Sequence, residues 1–293
     1  MSTPLLADAL RERDGILFTR GAEASDPYRE RWDEEAAADH VRSATARSAG
    51  AEPDFEALTQ KISPLLRGFP AGRHFARVLE LGCGYGRVPL YLAQARGLSC
   101  ETYYGLDISA AMLRHLERYR RRFGLFPKAD VKLVCGSVDE LPLAPGSVDL
   151  ILSSAVFLHM GKGFVRRALA EAGRVLAPGG AFVFDSSFPN RWCPANAPSA
   201  LASKLPGRPP HVLKYYSLRE LERLFGPSEL VRKARGLVLE PSSFAILPRT
   251  LGPVSIPLAR RVNARAAAPP ERLRPLLGLT FHASGGLAEA DRG

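Results

Sequence analysis

Three glycines alternate with other residues directly after an apolar stretch. Residues 78–81 read Val-Leu-Glu-Leu, Gly82, Gly84 and Gly86 follow, and a helical pattern of apolar residues begins after them. Glycine is needed where a backbone turns sharply and approaches a ligand closely, because a Cβ atom would clash there. Such a turn can bind a nucleotide, but a purely structural tight turn shows the same string. The segments that follow decide between these interpretations.

An acidic residue ends the next predicted strand. Residues 101–107 are rich in apolar and aromatic residues and end at Asp107, and Ser109 can cap the helix that follows. In nucleotide-binding α/β units, a carboxylate about 20 residues beyond the glycines accepts hydrogen bonds from ribose hydroxyls. Asp107 is therefore predicted to bind a ribose.

Further strands alternate with helical or turn segments along the chain. A polar turn follows Gly136, and Pro178-Gly179-Gly180 separates a helical pattern from the next apolar run. Strands that alternate with helices favour a doubly wound, mostly parallel sheet. The remaining strands are predicted at residues 131–135, 147–153, 181–185, 230–239 and 277–283.

The order of these segments resembles that of the class I, Rossmann-type S-adenosylmethionine-dependent methyltransferases. The matching segments are Leu-Glu-Leu-Gly-Cys-Gly-Tyr-Gly, Gly-Leu-Asp-Ile-Ser, Gly-Ser-Val-Asp-Glu-Leu-Pro, Ser-Val-Asp-Leu-Ile-Leu-Ser and Arg-Val-Leu-Ala-Pro-Gly-Gly. Together they cover residues 75–190 and are more specific than any one of them. A nicotinamide fingerprint would have its third glycine one residue later, where this chain has Arg87. The resemblance implies an α/β fold with a doubly wound, mostly parallel seven-stranded sheet.

The same resemblance implies S-adenosyl-L-methionine as the cofactor and S-adenosyl-L-homocysteine as the product. Glu80 would act on the ammonium group, Asp107 would take the ribose diol, and Ile108 would offer an apolar face to adenine. The backbone around Gly82 and Gly84 would approach the methionine moiety. The predicted cofactor-binding residues are Glu80, Gly82, Cys83, Gly84, Tyr85, Gly86, Asp107, Ile108, Ser137, Val138, Asp139, Ser153 and Ser154.

One position departs from the family pattern. Relatives commonly have an Asp directly after the glycine that corresponds to Gly136, where it meets the adenine amino group, and this chain has Ser137 there. The contact with adenine is therefore assigned to Ser137, to the backbone of Val138 or to Asp139.

Candidates for catalysis are fewer, because methyl transfer demands mainly that the acceptor be held in line with the breaking bond. An acceptor that must lose a proton is best served near neutral pH by histidine. His159 follows the fourth predicted strand, and His211, Tyr215 and Tyr216 precede a predicted helix near the expected acceptor pocket. The predicted catalytic residues are His159, His211 and Tyr216, and a plain structural role remains open for each.

Two parts of the chain are predicted by their position relative to the sheet. Residues 1–72 form an N-terminal helical cap, with one helix over residues 27–41 and another that begins at Asp54. The resemblance implies that such helices lie over the cofactor and the substrate, so Tyr28 and Trp32 are candidate pocket residues. Residues 73–293 form the Rossmann-like domain. Within it, residues 190–216 and 241–275 are predicted to be lid or cap segments, the second with a short basic helix around residues 258–267.

Composition limits the class of partner and the compartment. The net charge of +10 is spread along the chain, and its one local cluster, Arg114 with the arginines at 118–122, reads as a solvated helix face. The four cysteines lack metal-type spacing, so no metal site is predicted. No apolar run is long enough to span a membrane and no signal pattern begins the chain, so a cytoplasmic enzyme is expected.

The predicted function is the transfer of a methyl group to an O, N or C atom of a small-molecule metabolite or natural-product intermediate. Nucleic acid is an unlikely partner: the Asn/Asp-Pro-Pro-aromatic segment typical of nucleic-acid amino-methyltransferases would follow the fourth strand, where this chain has Ser153-Ser154-Ala155-Val156. Two alternatives stay open: another kind of RNA methylation, and a protein that binds S-adenosylmethionine but catalyses a reaction other than methyl transfer.

Overall fold

The computed structural model describes residues 5, 10–22, 27–37, 72–202, 213–244 and 269–287. The strands are β1 (Leu10–Arg13), β2 (Ile16–Thr19), β3 (His74–Leu81), β4 (Ser99–Asp107), β5 (Asp130–Cys135), β6 (Val148–Ser154), β7 (Leu176–Pro189), β8 (Val238–Phe244) and β9 (Gly278–Gly285). The helices are α1 (Pro27–Ala37), α2 (Arg87–Ala95), α3 (Ala110–Phe123), α4 (Lys162–Val175), α5 (Ala197–Ala202), α6 (Leu218–Phe225), α7 (Glu229–Ala234) and α8 (Arg274–Leu277).

All nine described strands belong to one sheet, in the order β1-β2-β5-β4-β3-β6-β7-β9-β8. The pairs from β2 to β7 are parallel, whereas β1 with β2, β7 with β9 and β9 with β8 are antiparallel. The doubly wound, mostly parallel α/β sheet is thus confirmed, but it has nine strands and not seven. The chain runs outward from β3 through β4 to β5 and then returns to β6 on the other side of β3. This reversal creates a crevice at the carboxyl ends of β3 and β6, where ligands bind in such sheets.

The two additional strands form a hairpin within the segment predicted to be helical. Asp14 and Gly15 make its turn with φ angles of +54° and +74°, which is the conformation that Asp-Gly turns favour. Ile16 and Phe18 of β2 are buried against β5, in a cluster that includes Leu133. The hairpin therefore extends the sheet beyond β5.

The predicted strand over residues 230–239 is wrong in its first half. Residues 229–234 form α7, whose first turn is capped by the Ser228 hydroxyl accepting from the Val231 backbone N–H. Leu230 and Ala234 are both buried, and their spacing of four residues is that of one helix face. The strand β8 begins only at Val238. By contrast, the last predicted strand, 277–283, is confirmed as β9.

The N-terminal helix predicted over residues 27–41 is present as α1 up to Ala37. Its last four residues, the helix predicted from Asp54 and the basic helix around 258–267 lie outside the described residues. In α3, Arg120 and Arg121 of the arginine cluster both pair with Glu117. Within the described part of the chain, no helix is long and apolar enough to cross a membrane.

The alternation of side chains along β3 determines which of them lie on each face of the sheet. Leu79 and Leu81 pack in one buried cluster with residues of α4, and Val78 packs on the other face with residues of α2. Glu80 is the next side chain on the Val78 face, because successive strand residues point to opposite sides. A carboxylate is thereby carried to the end of a strand whose last four residues are buried.

Candidate active site

A cavity of about 260 Å³ opens at the carboxyl ends of β3, β4 and β6. Its lining includes eleven of the predicted site residues: Glu80, Gly82, Cys83, Gly84, Tyr85, Asp107, Ile108, Ser137, Val138, Ser154 and His159. Four predicted residues do not line it, namely Gly86, Asp139, Ser153 and Tyr216. His211 lies outside the described residues.

The glycine turn packs against the loop after β6 on one side and borders open space on the other. Gly82 has a φ of +68°, and a Cβ atom there would lie 2.3 Å from Cγ2 of Val156. Gly84 has a φ of +53°, but a Cβ atom there would meet nothing within 4 Å. The first glycine therefore allows the turn to pack against the β6 loop. The second leaves open space at the cavity, as a ligand would need.

Asp107 is held at the end of β4 by the same turn. Its two carboxylate oxygens accept hydrogen bonds from the backbone N–H groups of Gly84 (2.8 Å) and Ser109 (2.9 Å). Burial raises the pKa of Asp107 to about 6, although both hydrogen bonds act in the opposite direction. Each oxygen keeps a lone pair for a further donor, so the carboxylate can still accept hydrogen bonds from two neighbouring hydroxyl groups.

Glu80 is the second carboxylate of the cavity and is only 1% exposed. The Tyr103 hydroxyl donates to its Oε2 atom at 2.6 Å. Burial raises the pKa of Glu80 to about 8, and the nearby Asp107 adds to this rise, while the Tyr103 hydrogen bond and the Arg87 charge lower it. A buried carboxyl group that lines a cavity and has no ion-pair partner among the described residues is suited to a cationic ligand group.

The turn after β5 places Ser137 at the cavity and Asp139 away from it. The Ser137 hydroxyl donates to Oδ1 of Asp139, and Arg167 makes an ion pair with Oδ2 of Asp139 at 2.8 Å. Asp139 is thus engaged in fixing the turn. Of the three alternatives for the contact with adenine, Ser137 and Val138 line the cavity.

The helix α1 contacts the segments that follow β4 and β6, both of which line the cavity. On the β4 side, Arg29 Nε donates to the Ile108 carbonyl at 3.1 Å, and Asp33 accepts from the Ser109 hydroxyl at 2.5 Å. On the β6 side, the Tyr28 hydroxyl donates to the His159 carbonyl at 3.2 Å. Tyr28 and Trp32, predicted as possible pocket residues, are both part of the lining.

His159 lies in a short 3₁₀ turn after β6, whereas the two carboxylates lie at the ends of β3 and β4. Its ring meets that of Trp32 edge to face, with the centroids 6.0 Å apart. Leu158, Met160 and Phe164 complete this part of the lining. The cavity therefore has a polar half with two carboxylates and an apolar, aromatic half with one histidine.

Two predicted site residues have structural contacts instead. Ser153 is fully buried, and its hydroxyl donates to the Leu81 carbonyl at 3.2 Å, which ties β6 to β3. The Tyr216 ring packs edge to face on Phe188 with the centroids 5.5 Å apart, inside the main hydrophobic cluster. A bridge between Asn190 and Tyr216 carries this tyrosine into the core.

Sequence reasoning missed part of the lining. Its missed members are mostly apolar, namely Arg87, Val88, Met112, Gly136, Val156, Leu158, Met160 and Phe164. Most of these residues stand within a few positions of a predicted motif, so closeness to a motif in sequence is the signal that could have predicted them. In the described segments, no group of three or more His, Cys, Asp or Glu side chains could hold a metal ion.

Comparison with known proteins assigns the central part of the chain. Residues 79–184 match the family described as a methyltransferase domain. The chain is 32% identical over 146 residues to the sarcosine/dimethylglycine N-methyltransferase of Aphanothece halophytica, which is 49% of this chain and 49% of that protein. It is 40% identical over 113 residues to the malonyl-[acyl-carrier protein] O-methyltransferase of Methylococcus capsulatus, which is 38% of this chain and 37% of that protein.

Among solved structures, the putative methyltransferase in complex with the Trm112 methyltransferase activator of Haloferax volcanii has a similar fold. The TM-score is 0.54 with 19% sequence identity, and the match covers 87% of this chain and 96% of that one. At this identity the likeness supports the fold alone. The matches to the two curated relatives span half of their lengths or less, so these relatives describe part of the chain and not the whole of it.

Proposed function

Residues 79–184 form a class I S-adenosylmethionine-dependent methyltransferase domain, and from this premise we propose that the whole chain methylates a small molecule. The observation that carries the proposal is the division of the cavity. Two carboxylates and the open glycine turn line one half, and aromatic and apolar side chains with one histidine line the other. The first half suits a cofactor with an ammonium group and a ribose, and the second suits a compact acceptor.

The residues of the polar half fit S-adenosylmethionine one by one. Glu80 binds its ammonium group, the space beside Gly84 admits its methionine moiety, and Asp107 accepts hydrogen bonds from the ribose hydroxyls. Ser137 and Val138 lie beyond Asp107, on the side that would take adenine. When bound, the cofactor supplies a methyl group that is already activated by its positively charged sulfur.

The residues of the apolar half would hold the acceptor and exclude water. Tyr28 and Trp32 of α1 cover this half, and Phe164 of α4 lines it from another element. Holding the acceptor in line with the breaking bond can supply much of the rate enhancement, and exclusion of water strengthens the local electrostatics. The curated relatives are named for sarcosine, dimethylglycine and a malonyl group on a carrier protein, which supports an acceptor of similar size.

We assign the role of general base, where the acceptor must lose a proton, to His159. It is the one histidine that the described residues contribute to the cavity lining, and it lies after β6. A histidine base gives kcat, measured with cofactor and acceptor both saturating, an acid limb, because its protonated form cannot accept a proton. Replacement of His159 by Gln is expected to lower kcat and to remove that limb. An unchanged limb in His159→Gln would assign the base elsewhere.

The proposal is tested with S-adenosylmethionine that carries a labelled methyl group. The purified protein is incubated with a pool of small metabolites and, separately, with total RNA, and the label is followed in each fraction. We expect the label in a small molecule. Asp107→Ala should abolish this transfer, whereas Asp130→Asn, which changes an exposed carboxylate on the neighbouring strand β5, should leave it intact.

Two other outcomes would overturn the proposal and identify the alternative. Label found only in RNA would assign RNA methylation to this chain. Cofactor binding without label in either fraction would favour a reaction other than methyl transfer.

A further inference from the structure

A buried acid–histidine pair lies behind the cavity, where β7 and β9 are paired. Asp185 near the end of β7 and His282 of β9 approach with 3.4 Å between Oδ1 and Nδ1, and the two residues are 1% and 7% exposed. Nε2 of His282 is buried and has no hydrogen-bond partner among the described residues. A buried polar atom without a partner is unfavourable. Packing alone would therefore be better served by an apolar side chain at position 282.

Asp185 is the centre of hydrogen bonds that lead to the cavity wall. Its carbonyl accepts from the backbone N–H of Ala155 at 3.0 Å and from the hydroxyl of Ser187 at 3.1 Å. The same Ser187 hydroxyl accepts from the backbone N–H of Val156 at 3.3 Å. Both Ala155 and Val156 line the cavity. Asp185 is thus connected by hydrogen bonds to two residues of the cavity wall, directly to Ala155 and through Ser187 to Val156.

The backbone at both ends of this network is held in an uncommon conformation. Ala155 has a φ of +59° and Ser186 has a φ of +52°, although neither is glycine. The Ser186 hydroxyl donates to Oδ2 of Asp185 at 2.9 Å, so the carboxylate itself supports one of the two. Such conformations persist only where the surrounding structure fixes them, and they cluster at functional sites.

We propose that His282 is a positioning residue, which acts through Asp185 to fix the wall formed by Ala155 and Val156. This inference rests on the function proposed above. Nδ1 of His282 lies 3.4 Å from one carboxylate oxygen of Asp185, and the other carboxylate oxygen accepts from Ser186. In this orientation the Asp185 carbonyl meets Ala155.

The position of this wall identifies what it serves. Val156 lies against Gly82, since a Cβ atom on that glycine would be 2.3 Å from the valine side chain. β6 lies on one side of β3 and β4, which ends at Asp107, lies on the other. A ligand whose ribose meets Asp107 therefore has its amino-acid end beside Gly82 and Val156. His282 supports the binding of the amino-acid moiety and not of the nucleoside.

Two ligands separate these moieties: S-adenosylhomocysteine contains both, and 5′-methylthioadenosine lacks the amino-acid carbons and their charges. Binding of each is measured by calorimetry to the full chain and to its variants. His282→Leu removes the donor to Asp185, and His282→Asn keeps a donor at the place of Nδ1. Glu240→Gln is the control, because this exposed residue of β8 is the register partner of His282.

We expect His282→Leu to weaken S-adenosylhomocysteine binding about tenfold, the size of effect that the loss of one polar contact gives, with binding of 5′-methylthioadenosine unchanged. His282→Asn should recover most of the affinity, and Glu240→Gln should match the wild type. A merely structural role would weaken both ligands together and would give no rescue by asparagine.

Equal losses for the two ligands, or no loss for either, would overturn the inference. If His282→Leu does not fold, Asp185→Asn provides the second test, with the same selective loss expected and a lack of selectivity counting against the proposal. Failure of the wild-type protein to bind S-adenosylhomocysteine would instead refute the proposed function. The two failures are therefore distinguishable.

Discussion

The raised pKa of Glu80 predicts that cofactor binding is coupled to the release of a proton. Burial raises the pKa of this carboxyl to about 8, so at pH 7 it is mostly protonated in the free protein. Under the function proposed above, the ammonium group of S-adenosylhomocysteine binds the ionised form of Glu80. Binding must therefore remove the proton, and the affinity should rise with pH until Glu80 is ionised without ligand.

The size of the effect follows from the two pKa values of the cavity. With a pKa of about 8, the ionised fraction of Glu80 rises from about 1% at pH 6 to about 9% at pH 7, which is close to a tenfold gain in affinity. Asp107, with a pKa raised by burial to about 6, adds about a twofold gain over the same interval. The affinity should therefore increase by about 20-fold between pH 6 and pH 7.

Titration calorimetry at pH 6 and pH 7 measures this gain, and repeating it in buffers of different ionisation enthalpy counts the protons. About one proton should be released for each ligand bound at pH 7. Glu80→Gln keeps the shape of the side chain without the charge, so its affinity should change only by the twofold share of Asp107. For 5′-methylthioadenosine, which has no ammonium group, the wild type should behave like this variant.

Two results would refute this reasoning. One is equal affinity of the wild type for S-adenosylhomocysteine at pH 6 and pH 7. The other is a full rise in Glu80→Gln, which would mean that another group carries the proton.

Three further predictions concern stability. Gly82→Ala should lower the free energy of unfolding by about 2–4 kcal/mol, because the new Cβ would lie 2.3 Å from the Val156 side chain and the residue has a positive φ. Gly84→Ala, whose Cβ would meet open space, should lower the free energy of unfolding by only about 1 kcal/mol but weaken cofactor binding by about tenfold or more. Denaturant titration measures the first quantity and calorimetry the second, and identical losses in the two variants would contradict the prediction. In the free protein, the raised pKa of Glu80 contributes stability that is present below about pH 4.5 and is lost as pH rises towards 8. The free energy of unfolding of Glu80→Gln should therefore increase relative to that of the wild type by about 2–5 kcal/mol between pH 5 and pH 8 in denaturant titrations. A difference that stays constant with pH would rule this out. Ser217→Ala removes the capping box of α6, in which the Ser217 hydroxyl accepts from the Glu220 backbone N–H and the Glu220 carboxylate accepts from the Ser217 backbone N–H. The free energy of unfolding, measured by thermal denaturation, should fall by about 1 kcal/mol. No change would show that α6 is held by packing alone.

The polar half of the cavity could be predicted as a cluster of residues because its members follow local rules. The glycine turn and Asp107 each stand at the end of an apolar strand, and Ser109 caps the following helix through the backbone of Met112 as predicted. The parallel arrangement then brings these strand ends together without further information.

Other features depend on contacts that no local pattern contains. The strands of the hairpin have four residues each, and the charged Leu-Arg-Glu-Arg of β1 lacks an apolar alternation, although the Asp14-Gly15 turn was a usable signal. The segment from Leu230 was mistaken for a strand because a short apolar run does not distinguish the two periods. Tyr216 was expected at the cavity, but pairing with Asn190 brings it into the core. The contact between Asp185 and His282 joins residues that are distant in sequence.

The hairpin also determines how the sheet meets its surroundings. Without β1 and β2, the edge of the sheet would be β5, whose Leu133 and Cys135 are buried, and unpaired backbone groups on such an edge invite pairing with another molecule. The hairpin instead presents Arg11, Glu12 and Arg13, all exposed, and charged edge strands discourage self-association. The outermost strand thus carries charges that oppose pairing of this edge with another molecule. Replacing both arginines with valine should increase light scattering on concentration, while the cavity at the other strands keeps its affinity for cofactor.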